Sequence, residues 1–154
     1  MSKDFIYKFN EGPLVSEKEL SGEWNIGNCR RAVQYYLWFE KKLFLAPQQI
    51  LCPAAYRETG SFVTGNGQKF SFNLLEKGDI IYAEKIRGKN GENLDKGEKN
   101  FNTNDKYIIS LHTALFTKKT GEEIWHATAI EGKSCFWSLE KFLHYYRPIA
   151  AKRV

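Results

Sequence analysis

The chain has 154 residues, a formal net charge of +5, and 42% hydrophobic and 15% aromatic residues. This length and apolar content predict one domain, residues 1–154, and argue against a disordered chain. No apolar run approaches the roughly 20 residues of a membrane-spanning helix. The first residues show no signal-peptide pattern, so the sequence predicts a cytoplasmic protein, with export by another route left open.

The three cysteines are widely spaced and include no C-x-x-C pair; they are Cys29, Cys52 and Cys135. An odd number at this spacing argues against a zinc site and against a disulfide framework. The sequence therefore predicts reduced thiols and gives no indication of a metal or another cofactor.

The first predicted element is a helix over residues 28–45, in which Cys29, Ala32 and Val33 recur at helical spacing. A cysteine in the first turn faces free backbone N–H groups and the positive end of the helix dipole, which favour a thiolate. The same N–H groups can stabilise an oxyanion. Arg30 adds positive charge beside the thiol. Cys29 is therefore the candidate nucleophile.

The middle of the chain predicts one hairpin, one strand and one polar segment. Residues 57–74 carry alternating aromatic residues around the turn 64–67, which indicates a hairpin. Residues 79–86 are apolar enough for a strand. Residues 87–104 are rich in glycine, lysine and asparagine, which favours a surface loop over a lid on a cleft.

Two runs rich in β-forming residues, 107–116 and 123–130, predict a second hairpin. If this hairpin folds about Lys119, His112 and His126 lie directly opposite each other, with Cβ atoms roughly 4.5–5.5 Å apart. One imidazole can then accept a thiol proton while the other orients it. The hairpin therefore supplies a candidate base and its partner.

The last segments predict a helix over 138–146, capped by Ser138, and a strand over 147–153, with Cys135 in a turn before the helix. A helix followed by strands on short connections is the α+β pattern. The predicted fold class is therefore α+β, with an N-terminal helix bearing Cys29 packed on an antiparallel β-sheet. The predicted strands of that sheet are 79–86, 107–116, 123–130 and 147–153.

Four segments in chain order carry a more specific pattern: Asn28-Cys29-x-x-Ala32-Val33-Gln34-Tyr35, Leu75-Glu76-Lys77-Gly78-Asp79-Ile80-Ile81-Tyr82, His112-Thr113-Ala114-Leu115-Phe116 and Ile124-Trp125-His126-Ala127. Their order resembles the NlpC-type cysteine peptidases of the papain-like superfamily, over about half of the chain. The resemblance implies a papain-like fold. It also implies Cys29 as nucleophile, His112 as general base and His126 as the residue that orients the base.

The surroundings of the nucleophile depart from that family. Asn28, Arg30 and Arg31 stand where the family usually has aspartate, serine and glycine. In peptidoglycan-cleaving members the aspartate and the serine help to hold a free amine. The family's upstream oxyanion tyrosine is also missing, so that Trp24 or Asn25 would have to serve. The predicted substrate-binding residues are Trp24, Asn25, Asn28 and Arg30, without the family's recognition of the stem peptide.

These residues predict a cysteine hydrolase that cleaves a peptide or isopeptide bond through a thioester. Its substrate is expected to be a cell-wall-type peptide, and the basic charge favours an anionic one. A transglutaminase-like protein also opens a helix with the pattern Gly27-Asn28-Cys29-Arg30, although its third residue is normally aspartate. Other acyltransferases and a nonenzymatic binding module of the same fold stay open, as does the oligomeric state. Interleaved acidic residues argue against a nucleic-acid-binding surface.

Overall fold

The computed structural model describes Cys29, Ala32, Val33 and residues 60–65, 68–95 and 111–154. Within these residues, six strands form one antiparallel sheet with the order β1-β6-β2-β3-β4-β5. The elements are β1 (Ser61–Thr64), a 3-10 turn (Phe72–Leu74), β2 (Ile80–Lys85), β3 (His112–Lys118), β4 (Glu123–Thr128), β5 (Lys133–Ser138), α1 (Leu139–Tyr145) and β6 (Tyr146–Arg153).

The predicted α+β papain-like fold class, with a Cys29-bearing N-terminal helix on the sheet, is wrong. The described part of the chain is mainly antiparallel sheet, and α1, near the C-terminus, is its one α-helical element. Cys29, Ala32 and Val33 have helical backbone conformation but form no element by themselves, and the other residues of 28–45 lie outside the described residues. The β-forming runs of the second half dominate the described residues, whereas the helical spacing around Cys29 covers a segment of which three residues are described.

The strand predictions of the second half are confirmed within a few residues. β2, β4 and β6 lie within or over the predicted segments, and β3 runs two residues further than expected, to Lys118. The prediction of α1 is also confirmed, since the side chain of Ser138 accepts a hydrogen bond from the backbone N–H of Lys141 at 3.2 Å.

Two other predictions are wrong. Cys135 lies in strand β5 and not in a turn, because residues 133–138 pair along the whole of β4. β1 pairs with β6 instead of forming a hairpin with the residues that follow it. The surface-loop prediction agrees with the structure over residues 87–95, which form no named strand or helix and are exposed from residue 89 on; an isolated β-bridge between Arg87 and Asn93 closes the turn. The remainder of the polar segment, 96–104, lies outside the described residues.

One face of the sheet forms the core against α1. Ile81, Ala83, Ala114 and Phe116 pack there with Phe142 of the helix. Apolar residues that alternate along neighbouring strands share a face, which is why the two central strands contribute to one layer. His112 and His126 are on this same face, since they are separated from Ala114 and from buried Ile124 by two positions each.

The turn into β2 is held by a buried carboxylate. Asp79 is 1% exposed, and its Oδ2 accepts a hydrogen bond from the backbone N–H of Glu76 at 2.8 Å. Arg153 of β6 donates to both carboxylate oxygens of Asp79, each at 2.9 Å. The leucine–x–x–glycine–aspartate segment therefore fixes the start of β2 against β6, and through β2 it fixes the position of β3.

Candidate active site

Strands β3 and β4 separate at the end where the histidines lie. Their paired residues run from Lys118 and Glu123 to Leu115 and Trp125. β3 begins three residues earlier, at His112, and β4 continues three residues further. The described pairing thus leaves a gap in the β3–β4 ladder, at the end of the strands where His112 and His126 lie.

The backbone N–H of Thr113 points into this gap. Phe116 exchanges backbone hydrogen bonds with the residues at the start of β2, donating to Asp79 O at 2.9 Å and accepting from Gly78 N at 2.7 Å. Because backbone groups alternate in direction along a strand, the odd-numbered residues of β3 point toward β4. Where the β3–β4 pairing has ended, the N–H of Thr113 donates instead to Cys29 Sγ, with N and S 3.5 Å apart.

Cys29 is therefore placed at the end of β3 beside His112. Its side chain is half-buried, and it is a free thiol, as is Cys135 among the described cysteines. Ala32 and Val33, the next described residues, are fully buried inside the protein. The sulfur is fixed by a backbone group of the residue that follows His112.

The two histidines are hydrogen-bonded to each other. His112 Nε2 and His126 Nδ1 lie 2.7 Å apart, a short distance for two ring nitrogens. The predicted direct opposition is wrong in register: since Leu115 pairs with Trp125, His112 and His126 are offset by two residues along the strands. They share a face and remain neighbours on the diagonal, which longer side chains can span. The two rings are paired as expected, but they meet because the side chains span the diagonal and not because the residues are directly opposite.

Aromatic rings hold both imidazoles in place. The ring of His112 stacks on Tyr146 with centroids 4.3 Å apart, and Tyr146 stacks in turn on Phe142 at 5.1 Å. His126 meets Trp137 edge to face at 4.4 Å and Phe142 at 5.6 Å. Each ring has little room to rotate, so the histidine pair is preorganised.

His126 is the fully buried member of the pair. Burial lowers the pKa of His126 well below its usual value, and the nearby positive charges of His112 and Lys141 lower it further. Its imidazole is therefore neutral near neutral pH, with one nitrogen protonated and one bare. A neutral ring in this position can orient His112 but adds no negative charge to the site.

The other predicted site residues lie outside the described part of the chain. These are Trp24, Asn25, Asn28 and Arg30. Of the predicted residues, the structure brings together Cys29, His112 and His126. Within the residues that the structure describes, no group of three or more histidine, cysteine, aspartate or glutamate side chains could hold a metal ion.

Four residues of the site are absent from the sequence predictions. Thr113 contributes only its backbone N–H, which no side-chain pattern can reveal. Tyr146, Phe142 and Trp137 read as ordinary core residues, since they are buried aromatic side chains at the end of the chain. Phe142 of α1 and Tyr146 of β6 are four residues apart in the chain, and both rings lie against His112. This spacing was the sequence signal available for these two residues.

Comparison of the chain with protein-family models, with curated proteins and with solved structures gives no significant match. In the described ranges, no helix is long and apolar enough to cross a membrane. The case for a function therefore depends on the geometry of the Cys29 site.

Proposed function

We propose that the protein is a cysteine hydrolase that cleaves an amide bond, with Cys29 as nucleophile, His112 as base and His126 as orienter. The observation that carries the proposal is the 2.7 Å hydrogen bond between the two imidazoles, directly beside the strand residue whose N–H binds the sulfur of Cys29. A nucleophile, a base and a third group that fixes the base are the components of covalent acyl transfer.

In the first half-reaction, Cys29 Sγ attacks the carbonyl carbon of the scissile amide while its proton passes to His112. The resulting tetrahedral oxyanion collapses, the C–N bond breaks, and His112 returns the proton to the leaving amine. Cys29 is left as a thioester of the acyl fragment. His126 stays neutral throughout and accepts the Nε2–H of His112, which keeps the other nitrogen of the base directed at the thiol.

In the second half-reaction, water attacks the thioester carbonyl carbon. His112 takes one proton from the water, the C–S bond breaks, and the sulfur recovers a proton from His112 as the carboxylic acid leaves. The backbone N–H of Thr113, which donates to Cys29 Sγ, can stabilise negative charge on the sulfur. No oxidant, metal or second substrate is needed.

A peptide or isopeptide of cell-wall type is the substrate class we favour, and the net charge of +5 supports an anionic one. Such chemistry requires a reduced thiol, and both described cysteines are free. We therefore place the activity in the cytoplasm, where thiols stay reduced.

The test is turnover on a panel of muropeptides, isopeptides and simple amide or ester acyl donors. Cys29→Ala and His112→Ala are expected to lose turnover to the same background, because loss of nucleophile or base disables the unit. His126→Asn keeps an acceptor near the position of Nδ1 and should lose about 10-fold, whereas His126→Ala should lose about 10²-fold or more.

The matched control is His144→Ala. His144 is exposed on α1 and contacts Tyr145, away from the histidine pair, so turnover should be unchanged. Full activity of His112→Ala, or an equal loss in His144→Ala, would contradict the proposal. Trapping the acyl-enzyme as a mass increase on Cys29 would support the thioester step directly.

A further inference from the structure

The second ring nitrogen of His126, Nε2, has no hydrogen-bond partner among the described residues. Its Nδ1 is engaged with His112, whereas its Nε2 is buried and makes no hydrogen bond to any described residue. A buried polar atom without a partner is rare and calls for a physical explanation. Because His126 is neutral, Nε2 is either an N–H donor or a bare lone pair, and the choice decides the protonation of the whole pair.

The two arrangements are linked through the shared hydrogen bond. If His126 carries its proton on Nε2, its Nδ1 accepts from His112 Nε2–H, and the Nδ1 of His112 is left bare. If His126 carries its proton on Nδ1, that N–H donates to His112 Nε2, and a neutral His112 must be protonated on its own Nδ1. Only the first arrangement gives His112 a free lone pair with which to accept a thiol proton.

The surroundings of His126 favour the first arrangement. Its ring meets Trp137 at 4.4 Å, Phe142 at 5.6 Å and Tyr146 at 5.8 Å, in each case near perpendicular, with interplanar angles of 73°, 66° and 75°. Aromatic faces are electron-rich, so they attract an N–H edge and repel a nitrogen lone pair. A neighbouring ring that turns its face to His126 therefore stabilises a protonated Nε2, whereas a ring that turned its positive edge to it would favour a bare one.

Trp137 is the closest of these rings, and its position is fixed from two sides. Its indole N–H donates to Glu131 Oε1 at 3.2 Å. Lys141 donates to the same oxygen at 2.7 Å and lies over the indole ring, 4.7 Å from the centroid. The indole is thus held against His126 by contacts outside the histidine pair.

We propose that Trp137 is a positioning residue whose ring accepts the Nε2–H of His126. This contact holds His126 in its Nε2–H tautomer, so that His126 Nδ1 is an acceptor for His112. Under the proposed function, on which this last step rests, the contact sets which nitrogen of His112 is unprotonated and can act as base toward Cys29.

The direct test is ¹⁵N NMR of the histidine rings, which distinguishes a protonated from a bare ring nitrogen. Cys29→Ala is the protein to use, because it removes any thiolate–imidazolium pair that would impose the same tautomer on His126. The three histidines are assigned with His144→Gln and His112→Gln. We expect Nε2–H and a bare Nδ1 for both His126 and neutral His112. Protonation of His126 on Nδ1 would overturn the proposal without any further variant.

The role of the aromatic face is tested with Trp137→Phe against Trp137→Leu in the same background. Both variants lose the indole N–H to Glu131, but only phenylalanine keeps an aromatic face. Phenylalanine should preserve the Nε2–H signature, and leucine should shift His126 toward Nδ1–H. An unchanged tautomer in a folded Trp137→Leu protein would overturn the assignment to Trp137.

Turnover measurements distinguish a failure of this inference from a failure of the proposed function. With Cys29 intact, Trp137→Phe should stay within about 3-fold of the original protein, and Trp137→Leu should lose about 10-fold at unchanged KM, since only the protonation of the base is altered. If NMR shows the expected tautomer of His126 and its dependence on Trp137, but no substrate on the panel is turned over, the role of Trp137 stands and the hydrolase proposal fails.

Discussion

The imidazole of His112 lies flat on the phenol ring of Tyr146, with centroids 4.3 Å apart and planes 18° apart. Tyr146 is the first residue of β6, and its hydroxyl is hydrogen-bonded to Thr128 Oγ1 of β4 at 2.8 Å. The stack therefore ties the plane of the candidate base to two strands at once. It also covers one face of the imidazole.

Two replacements of Tyr146 should distinguish the contribution of ring stacking from that of the hydroxyl hydrogen bond. Tyr146→Phe keeps the ring and should lose about 1 kcal/mol of unfolding free energy, the usual value of one buried hydrogen bond, with turnover little changed. Tyr146→Leu removes the stack, and its kcat should fall about 10-fold because the base is no longer held in one rotamer. Urea unfolding and steady-state kinetics measure the two effects. Equal kcat values for the two variants would show that the stack has no part in orienting His112.

The two described thiols should differ in reactivity because their neighbouring histidines differ. Cys29 lies beside half-buried His112, whereas Cys135 pairs across the β4–β5 ladder with His126. Burial holds the pKa of His126 low, so that it is a poor base for a thiol. Iodoacetamide at about pH 6 should therefore modify Cys29 first. Peptide mass spectrometry gives the rate for each thiol.

The control for thiol labelling is His112→Ala. It should slow the modification of Cys29 and leave that of Cys135 unchanged, since only the first thiol has His112 as its base. Preferential labelling of Cys135, or of Cys52, would contradict the assignment of Cys29 as the nucleophile.

The second half of the chain was predictable because its pattern is local. Strand β4 and helix α1 follow from β-forming runs, turn residues and a serine N-cap, which act over a few residues. Strand β5 was missed because Cys135 and its neighbours lie between a turn and helix α1 and carry no clear period-two pattern. The pairing of β1 with β6 joins segments about 90 residues apart, as in Ser61 with Arg153, and local pattern gives no information on such contacts.

The site was predictable in its residue types but not in its geometry. Chain order and β-propensity placed His112 and His126 on neighbouring strands, yet the two-residue offset depends on a bulge between Phe116 and Lys118. A bulge changes register without a reliable sequence signal. The rings still meet because an offset of two residues preserves the face, whereas an offset of one would not. The positioning role of Tyr146 needed the fold, since it depends on where α1 returns the chain to the sheet.

Replacing Arg153 and replacing Asp79, which form an ion pair, should lower the free energy of unfolding by different amounts. Arg153→Leu leaves the carboxylate of Asp79, which is 1% exposed, without its charged partner. Asp79→Asn leaves a half-exposed guanidinium that water can solvate, and it keeps an oxygen for the N–H of Glu76. We expect roughly 2 kcal/mol of lost unfolding free energy for the first variant and about half of that for the second.

The double variant Arg153→Leu with Asp79→Asn tests the reason for this asymmetry. It should be more stable than Arg153→Leu alone, because it no longer buries an unpaired charge. Additive losses in urea unfolding would mean that the carboxylate of Asp79 is not the source of the cost.

The stability of the protein should depend on pH through His126. Its pKa in the folded protein is lowered, first by burial and then by the charges of His112 and Lys141. Below about pH 6.5, the unfolded chain therefore binds a proton at this histidine that the folded protein does not bind. The free energy of unfolding is fully retained above that pH. It should fall by roughly 1 kcal/mol for each pH unit below it, until the folded pKa is reached.

This pH dependence is measured by urea unfolding between about pH 7 and pH 5, a range that lies above most carboxylate titrations. His126→Asn removes the buried imidazole, so its unfolding free energy should be lower at neutral pH and nearly flat across the range. His144→Asn, at the exposed histidine of α1, is the matched control and should keep the original slope. An undiminished slope in His126→Asn would place the acid sensitivity elsewhere and remove the case for a neutral, buried orienter.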